Sequence, residues 1–254
     1  MKMLVCIKQV PEIDSLDLET PDDSGPFRMN RFDETALEEA LQIRETVGDA
    51  QVEVITVGSR SAADVLKRAV GMGADRGIHL LGNDRRLEDP YYTASRIARF
   101  AGQENYDLIL TGVMSEDLMQ GQVGPMIAAL LNWPHATAVV SLDLFPDNGK
   151  AEVERETEGG AREVLRVSMP ALFSLQTGIN RPRYPALSHL LRASRTPPDT
   201  RLDDIAIAPR QAVFETTLPE KKREGRVLVG STEEKALELV RQLSAKGFLR
   251  GNAG

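Results

Sequence analysis

The chain has 254 residues, of which 41% are hydrophobic and 27% charged, so it can bury a substantial core and has the composition of a globular protein. Its formal net charge of -7 argues against a nucleic-acid-binding surface, although a local basic patch remains possible. One cysteine, Cys6, excludes an internal disulfide framework and permits a reducing compartment. The histidines and the cysteine lack metal-ligand spacing, so we expect no metal site.

The first residues, MKMLVCIKQVP, are too few and too strand-like for a signal peptide. No apolar run approaches the length of a membrane span. We therefore expect the protein in the cytoplasm, or in the equivalent mitochondrial matrix.

Short apolar runs alternate with segments of helical periodicity along the N-terminal half. The predicted strands are 3–7, 52–57, 78–81 and 108–110, and the predicted helices begin at Asn30 or Asp33, at Ser61, at Pro90 and at Met126. Ser61 and Asp64 resemble a capping box. The segment 14–27 is rich in Asp, Pro, Ser and Gly and is predicted to be a surface loop. This alternation predicts an α/β fold with a parallel sheet and right-handed crossovers.

The pattern changes after Leu131. Strands are predicted at 136–144, 151–157, 162–167 and 171–175, with a hairpin at Glu158-Gly159-Gly160, and a basic loop at 180–185 precedes a helix at 186–193. The segment 196–225 lacks periodicity and is predicted to be an extended arm, either disordered or laid on a partner. A capping box at Ser231 and Glu234 begins a last helix, whose apolar face must dock.

The stretch Asp107–Met126 combines a strand, a polar loop and a helix N-terminus, with glycines at 112, 121 and 124. Free backbone N–H groups and the helix dipole make such a junction suitable for an anion. It is neither a GxGxxG motif nor a P-loop, so an ordinary strand-to-helix connection remains an equal alternative.

Six stretches in the same order resemble the β subunit of electron transfer flavoprotein, and the similarity runs from residue 2 to about 195. They are 5–11, the segment from Asn30 to Ala40, 72–77, 107–126, 155–160 and 180–187. The resemblance implies a doubly wound, mostly parallel sheet of the adenine-nucleotide-binding type over 1–195, with an added antiparallel hairpin. It also implies that 196–254 is an arm and terminal helix that dock on the family's α subunit.

The resemblance further implies a heterodimer that carries electrons and does no bond-making chemistry, so we expect no catalytic residue. FAD is held mainly by the α subunit, and the β subunit buries AMP or, in bifurcating members, a second FAD. Electrons arrive from acyl-CoA dehydrogenases or similar flavoproteins and leave to a membrane quinone reductase or another acceptor.

The family's nucleotide contacts carry over to positions at or just beyond the ends of predicted strands. They are Cys6, Asn30, Arg31, Phe32, Asp33, Gly58, Ser59, Gly112, Val113, Met114, Ser115, Asp117, Gly121, Gln122 and Val123. AMP-binding members commonly have Asn-Gln-Thr where this chain has Gly121-Gln122-Val123, so the choice between AMP and FAD stays open.

The family's partner-recognition loop matches the region of Leu187, with Tyr184 and Arg183 before it. The residues alone favour Leu187 as the start of the core face of a helix. The resemblance implies instead that it is an exposed leucine that anchors the dehydrogenase. Two other functions are weighed. An ATP-cleaving enzyme of the same fold needs a pyrophosphate loop rich in Ser, Gly and Lys after the first strand, and Lys8-Gln9-Val10-Pro11 is a poor match to it. A free-standing nucleotide sensor would not need the arm and terminal helix.

Overall fold

A computed structural model describes residues 1–12, 26–82, 89–202, 207–208, 210–211, 214, 217 and 225–249. The chain divides into two compact units, Met1–Phe214 and Glu215–Gly254. Most of the surface loop predicted over 14–27 lies outside the described residues. The functional division predicted at residue 195 stays a prediction.

The first unit contains eleven strands and five α-helices among its described residues. The strands are β1 (Lys2–Cys6), β2 (Gln9–Pro11), β3 (Phe27–Met29), β4 (Gln51–Gly58), β5 (Arg76–Leu81), β6 (Leu108–Gly112), β7 (His135–Phe145), β8 (Lys150–Glu156), β9 (Arg162–Ser168), β10 (Ala171–Leu175) and β11 (Asp199–Leu202). The helices are α1 (Arg31–Val47), α2 (Ala63–Met72), α3 (Pro90–Ala101), α4 (Val123–Leu131) and α5 (Leu187–Ala193).

Nine of these strands form one sheet in the order β11-β5-β4-β1-β6-β10-β7-β8-β9. Every neighbouring pair from β11 to β7 is parallel, and β7-β8-β9 are antiparallel. The strands β2 and β3 form a separate antiparallel pair. The predicted mostly parallel α/β sheet with an antiparallel addition is confirmed.

The sheet is covered on both faces, as β1 shows. Met3 and Val5 belong to the core that α1 and α2 pack on, whereas Leu4 and Cys6 belong to the core under α3 and α4. Successive side chains of a strand point to opposite faces, so an unbroken apolar run is what burial on both faces requires. The fold is therefore doubly wound.

The predicted hairpin at 158–160 is confirmed. Glu156 of β8 pairs with Arg162 of β9, and Gly159 and Gly160 turn the chain at φ values of 76° and 75°, which glycine adopts without a steric penalty.

Two details of the prediction are wrong. Residues 199–202 do not belong to a structureless arm: they form β11, which lies parallel to β5, and Arg76 pairs with Asp199. The predicted capping box at Ser61 is absent, since a 3₁₀ turn precedes α2, the Ser61 hydroxyl donates to Gln9 Oε1 at 3.0 Å, and Asp64 pairs with Lys67.

The second unit contains α6 (Thr232–Ala245). Its predicted capping box is confirmed: the Ser231 hydroxyl accepts from Glu234 N–H at 3.2 Å, and Glu234 Oε2 accepts from Ser231 N–H at 2.7 Å. Leu237, Leu239 and Val240 of this helix are exposed. No helix in the described part of the chain is long and apolar enough to span a membrane.

Candidate functional site

A cavity of about 500 Å³ lies at the carboxyl ends of β1, β4 and β6. The winding of the sheet reverses there, because β4 and β6 lie on opposite sides of β1. Ligands of open α/β sheets bind at this kind of position, and the volume is in the range of about 300–1,000 Å³ typical of small-molecule sites.

The structure brings most of the predicted nucleotide residues together around this cavity. Those that line it are Cys6, Asn30, Asp33, Gly58, Ser59, Gly112, Val113, Met114, Ser115, Asp117, Gly121 and Val123. Arg31, Phe32 and Gln122 are not among the described lining residues: Arg31 pairs with Glu116, Phe32 packs behind Gly112, and Gln122 precedes the first residue of α4.

Several lining residues were not predicted as site residues. Lys8 and Gln9 come within three residues of the end of β1, and that position just beyond a strand was the available signal. Pro90, Thr93 and Ile97 come from one side of α3, where their spacing is indistinguishable from that of core residues.

Asp33 joins three elements at the floor of the cavity. Its Oδ2 accepts from Lys8 N–H at 2.8 Å and its Oδ1 from Gly112 N–H at 3.1 Å, so the first turn of α1 is tied to the ends of β1 and β6. Burial raises the pKa of the Asp33 carboxyl to about 7, although these N–H groups oppose the rise. Burial, with a smaller contribution from Asp33, also raises the pKa of the Cys6 thiol, which therefore stays protonated.

Asn30 holds the polar loop that follows β6. Its Nδ2 donates to the Met114 carbonyl at 2.9 Å, and its Oδ1 accepts from Glu116 N–H at 3.2 Å. Asn30 precedes α1 as predicted, but its side chain makes no capping hydrogen bond. Glu116 in turn pairs with Arg28 at 2.9 Å and with Arg31 at 3.4 Å. The loop is therefore fixed to the start of α1 by side chains distant in sequence.

Lys8 is the one basic residue among the described residues of the lining. Its Nζ lies 2.6 Å from Asp117 Oδ2 and 3.4 Å from Ser115 Oγ. This ion pair connects the segment after β1 to the loop after β6. An anionic ligand group at this loop would compete with Asp117 for the ammonium.

The helix α4 begins at Val123, three residues before the predicted start at Met126. Pro125 lies in its first turn, where a backbone N–H has no intrahelical partner in any case. Gly124 packs against β6 and β10: a Cβ there would lie 2.5 Å from Ser174 Oγ and 2.8 Å from Thr111 Oγ1. The helix N-terminus is thus seated directly against the cavity, with its dipole favouring negative charge.

Gly121, in the loop before α4, is another position where a side chain does not fit. A Cβ on Gly121 would lie 2.7 Å from the Val113 carbonyl oxygen. Any side chain at this position would therefore require the loop to shift. The loop is built around glycine in this chain.

The predicted recognition residues lie away from the cavity lining. Leu187 begins α5 and is 72% exposed, and Tyr184 is 89% exposed, so neither faces the core. Arg183 is partly buried, and its guanidinium pairs with Glu38 and Glu45 of α1.

The doubly wound sheet and the cavity at its switch point are typical of nucleotide-binding α/β proteins. Residues 21–203 match the family described as "Electron transfer flavoprotein domain". The chain therefore belongs to the electron transfer flavoprotein family, among the β subunits, as the sequence predicted.

Similarity to individual relatives extends over nearly the whole chain. It is 34% identical to electron transfer flavoprotein subunit beta of Bacillus subtilis, covering 89% of both chains. It is 35% identical to the mitochondrial subunit beta of Arabidopsis thaliana, covering 92% of this chain and 95% of the relative. It is 32% identical to subunit beta of Thermoanaerobacterium thermosaccharolyticum, covering 97% and 99%.

Proposed function

We propose that the chain pairs with an α subunit in a heterodimeric electron carrier. The complex accepts electrons from acyl-CoA dehydrogenases or similar flavoproteins and passes them to a membrane quinone reductase or another acceptor. FAD is held mainly by the α subunit and supplies the redox chemistry when bound. This chain contributes the nucleotide cavity, the exposed segment around Leu187, and the arm and terminal helix that dock on the α subunit.

We infer that the cavity retains AMP as a structural ligand. The observation that best supports this proposal is that the N-terminus of α4, the loop 112–123 with its glycines and Lys8 all line the same cavity. Backbone groups near Cys6 suit the adenine edge, and the segment 30–33 lies beside the ribose and base. The loop 112–123 and Lys8 provide N–H groups and a positive charge for the phosphate.

A second FAD in the same cavity is the alternative. Gly121 favours this alternative, because glycine lacks the side-chain amide of the asparagine common there in AMP-binding members. Glycine also lets the backbone approach Val113 closely. An ATP-cleaving enzyme would need a pyrophosphate loop after β1. This chain has Lys8 there, paired with Asp117, followed by the strand β2, so that activity gains no support.

The test is to co-express the chain with its α subunit, purify the complex, and release small molecules with acid. One flavin and one AMP per heterodimer support the carrier with a structural AMP, and two flavins support the bifurcating alternative. Reduction of the bound flavin by a reduced acyl-CoA dehydrogenase tests the donor. A stable monomer that hydrolyses ATP would contradict the proposal.

A further inference from the structure

The recognition segment, residues 180–193, is attached to α1 by side chains at its start. Asn180 Nδ2 donates to the Thr35 carbonyl at 3.1 Å and to Glu39 Oε2 at 2.8 Å. Thr35 and Glu39 are one turn apart on α1 and are both buried. The segment therefore leaves β10 along a fixed path on α1.

Arg183 provides a second attachment, through several hydrogen bonds. Its Nε and Nη2 donate to the two carboxylate oxygens of Glu38 at 2.8 and 2.9 Å, and its backbone N–H donates to Glu38 Oε2 at 3.1 Å. The outer nitrogen Nη1 reaches Glu45 at 2.6 Å. Glu38 is only 3% exposed. Such a bidentate ion pair fixes both the position and the plane of the guanidinium.

The pKa of Glu38 is consistent with this ion pair. Burial acts to raise the pKa of the Glu38 carboxyl, but hydrogen bonds from Arg183 and Gln42 outweigh it and hold the pKa below its usual value. Glu38 is therefore an anion near neutral pH, and Arg183 is its cationic partner.

The other end of the segment rests on α2. Leu190 packs over Gly71 so closely that a Cβ on Gly71 would lie 2.6 Å from Leu190 Cδ2. Ala193 is 3% exposed. One side of α5 thus packs on α2, and Arg183 attaches the residues that precede α5 to α1.

Beside these attachments the segment carries exposed apolar side chains. Tyr184, Leu187 and Leu191 are 89%, 72% and 57% exposed. Leu187 and Leu191 are four residues apart and share one side of α5. Side chains held in place before binding lose less conformational freedom when a partner covers them.

We propose that Arg183 is a positioning residue for electron-donor recognition. Its pairing with Glu38 and Glu45 holds the segment so that Leu187 and Leu191 are presented to the donor, and Arg183 itself does not contact the donor. This inference rests on the proposed function, because it assigns Arg183 a part in recognition of the dehydrogenase.

The experiment uses the heterodimer with Arg183→Gln, Arg183→Lys and Glu45→Gln, and with Arg99→Gln as the matched control. Arg99 is an exposed arginine on α3, on the other face of the sheet, with no hydrogen bond or ion pair within the described part of the chain. Flavin content and the thermal midpoint are measured first, so that a misfolded variant is recognised. The rate of flavin reduction is then measured against donor concentration.

For Arg183→Gln we expect KM for the donor to rise about threefold to tenfold with little change in the limiting rate, because preorganisation affects binding. Glu45→Gln should change KM in the same direction by less. Arg183→Lys should resemble Arg183→Gln, since an ammonium cannot reproduce the bidentate ion pair. Rescue by lysine, or an unchanged KM in Arg183→Gln, would overturn the proposal.

A double-mutant cycle separates positioning from direct contact. In a Leu187→Ala, Leu191→Ala background, Arg183→Gln should cause no further rise in KM if it acts through these leucines. An undiminished effect in that background would show that Arg183 meets the donor directly and would overturn the proposal.

Amide hydrogen exchange over 184–191 tests the attachment without any donor. Exchange should be faster in Arg183→Gln than in wild type and unchanged in Arg99→Gln. If the dehydrogenase fails to reduce the wild-type complex, the proposed function is wrong. Unchanged amide exchange in Arg183→Gln would overturn the positioning role independently of that result.

Discussion

Gly112 and Asp33 are in direct contact at the floor of the cavity. The Gly112 N–H donates to Asp33 Oδ1 at 3.1 Å, and a Cβ on Gly112 would lie 2.5 Å from the same oxygen. The end of β6 can therefore approach the start of α1 only because residue 112 has no side chain. The shape of the cavity depends on this one close approach.

Replacing Gly112 with alanine should disturb both the fold and the cavity. The new methyl group would meet Asp33 and also the Phe32 backbone at 2.8 Å, which is not free to move aside. We expect a loss of about 1–3 kcal/mol in the free energy of unfolding, together with reduced nucleotide retention. Urea unfolding and nucleotide content measure these effects. Gly225→Ala is the control, because a Cβ there meets no atom within 4 Å, and wild-type behaviour of Gly112→Ala would contradict the account.

The carboxyl of Asp33 should make stability depend on pH. Its pKa rises on folding from an ordinary value of 3.8 to about 7, so the folded chain binds this proton more tightly than the unfolded chain. The resulting stabilisation is fully present below about pH 4 and is lost as the pH rises through about 7.

The measurement compares wild type with Asp33→Asn by chemical unfolding between pH 4 and pH 8. The stability of wild type relative to the variant should fall as the pH rises through about 7. A constant difference for Asp33→Asn, or one that grows with pH, would be inconsistent with the buried environment described here.

The pair between Lys8 and Asp117 predicts opposite effects for its two members. Asp117→Asn should strengthen binding of a nucleotide phosphate about twofold to fivefold, because it releases the ammonium from a partly exposed ion pair. Lys8→Gln should weaken binding, because it removes the cation from the lining. Calorimetric titration of AMP into nucleotide-free protein measures both. A loss of affinity in Asp117→Asn would mean that the pair itself forms the site.

Tyr106 should contribute to stability without affecting the cavity. Its hydroxyl donates to Glu53, a carboxylate 2% exposed that also lies 3.5 Å from Lys2 and 3.4 Å from Arg76. Tyr106→Phe should cost about 1–3 kcal/mol, because it removes a donor from a buried carboxylate.

Tyr184→Phe is the matched control for Tyr106→Phe, since Tyr184 is 89% exposed. Urea unfolding of the two variants should differ, and nucleotide affinity should be unchanged in both. Equal stability of the two variants would show that the hydrogen bond to Glu53 adds nothing.

The sequence predicted the central strands well for a physical reason. Parallel strands covered on both faces are continuous apolar runs, and the runs in β1 and β6 are of that kind. The strand β11 was missed because it is short, lies at the sheet edge and has the polar sequence DTRL. Only its pairing with β5 reveals it.

The site was predictable in position but not in its contacts. The ends of strands and the glycine loop pointed to the cavity, whereas the roles of Asp33 and Asn30 depend on groups distant in sequence. Arg183 shows the same limit: its sequence neighbourhood suggested contact with a partner, but its carboxylate partner Glu38 lies 145 residues away in the chain. Local patterns do not contain such pairings.

We propose that the cavity at the ends of β1, β4 and β6 permanently holds an adenine nucleotide. The most direct measurement is a crystal structure of the co-purified heterodimer, grown without added nucleotide. We expect density for an adenosine phosphate there, with its phosphate on the loop 112–123 beside Lys8. A cavity filled by side chains, or one that stays empty in such a crystal, would contradict it.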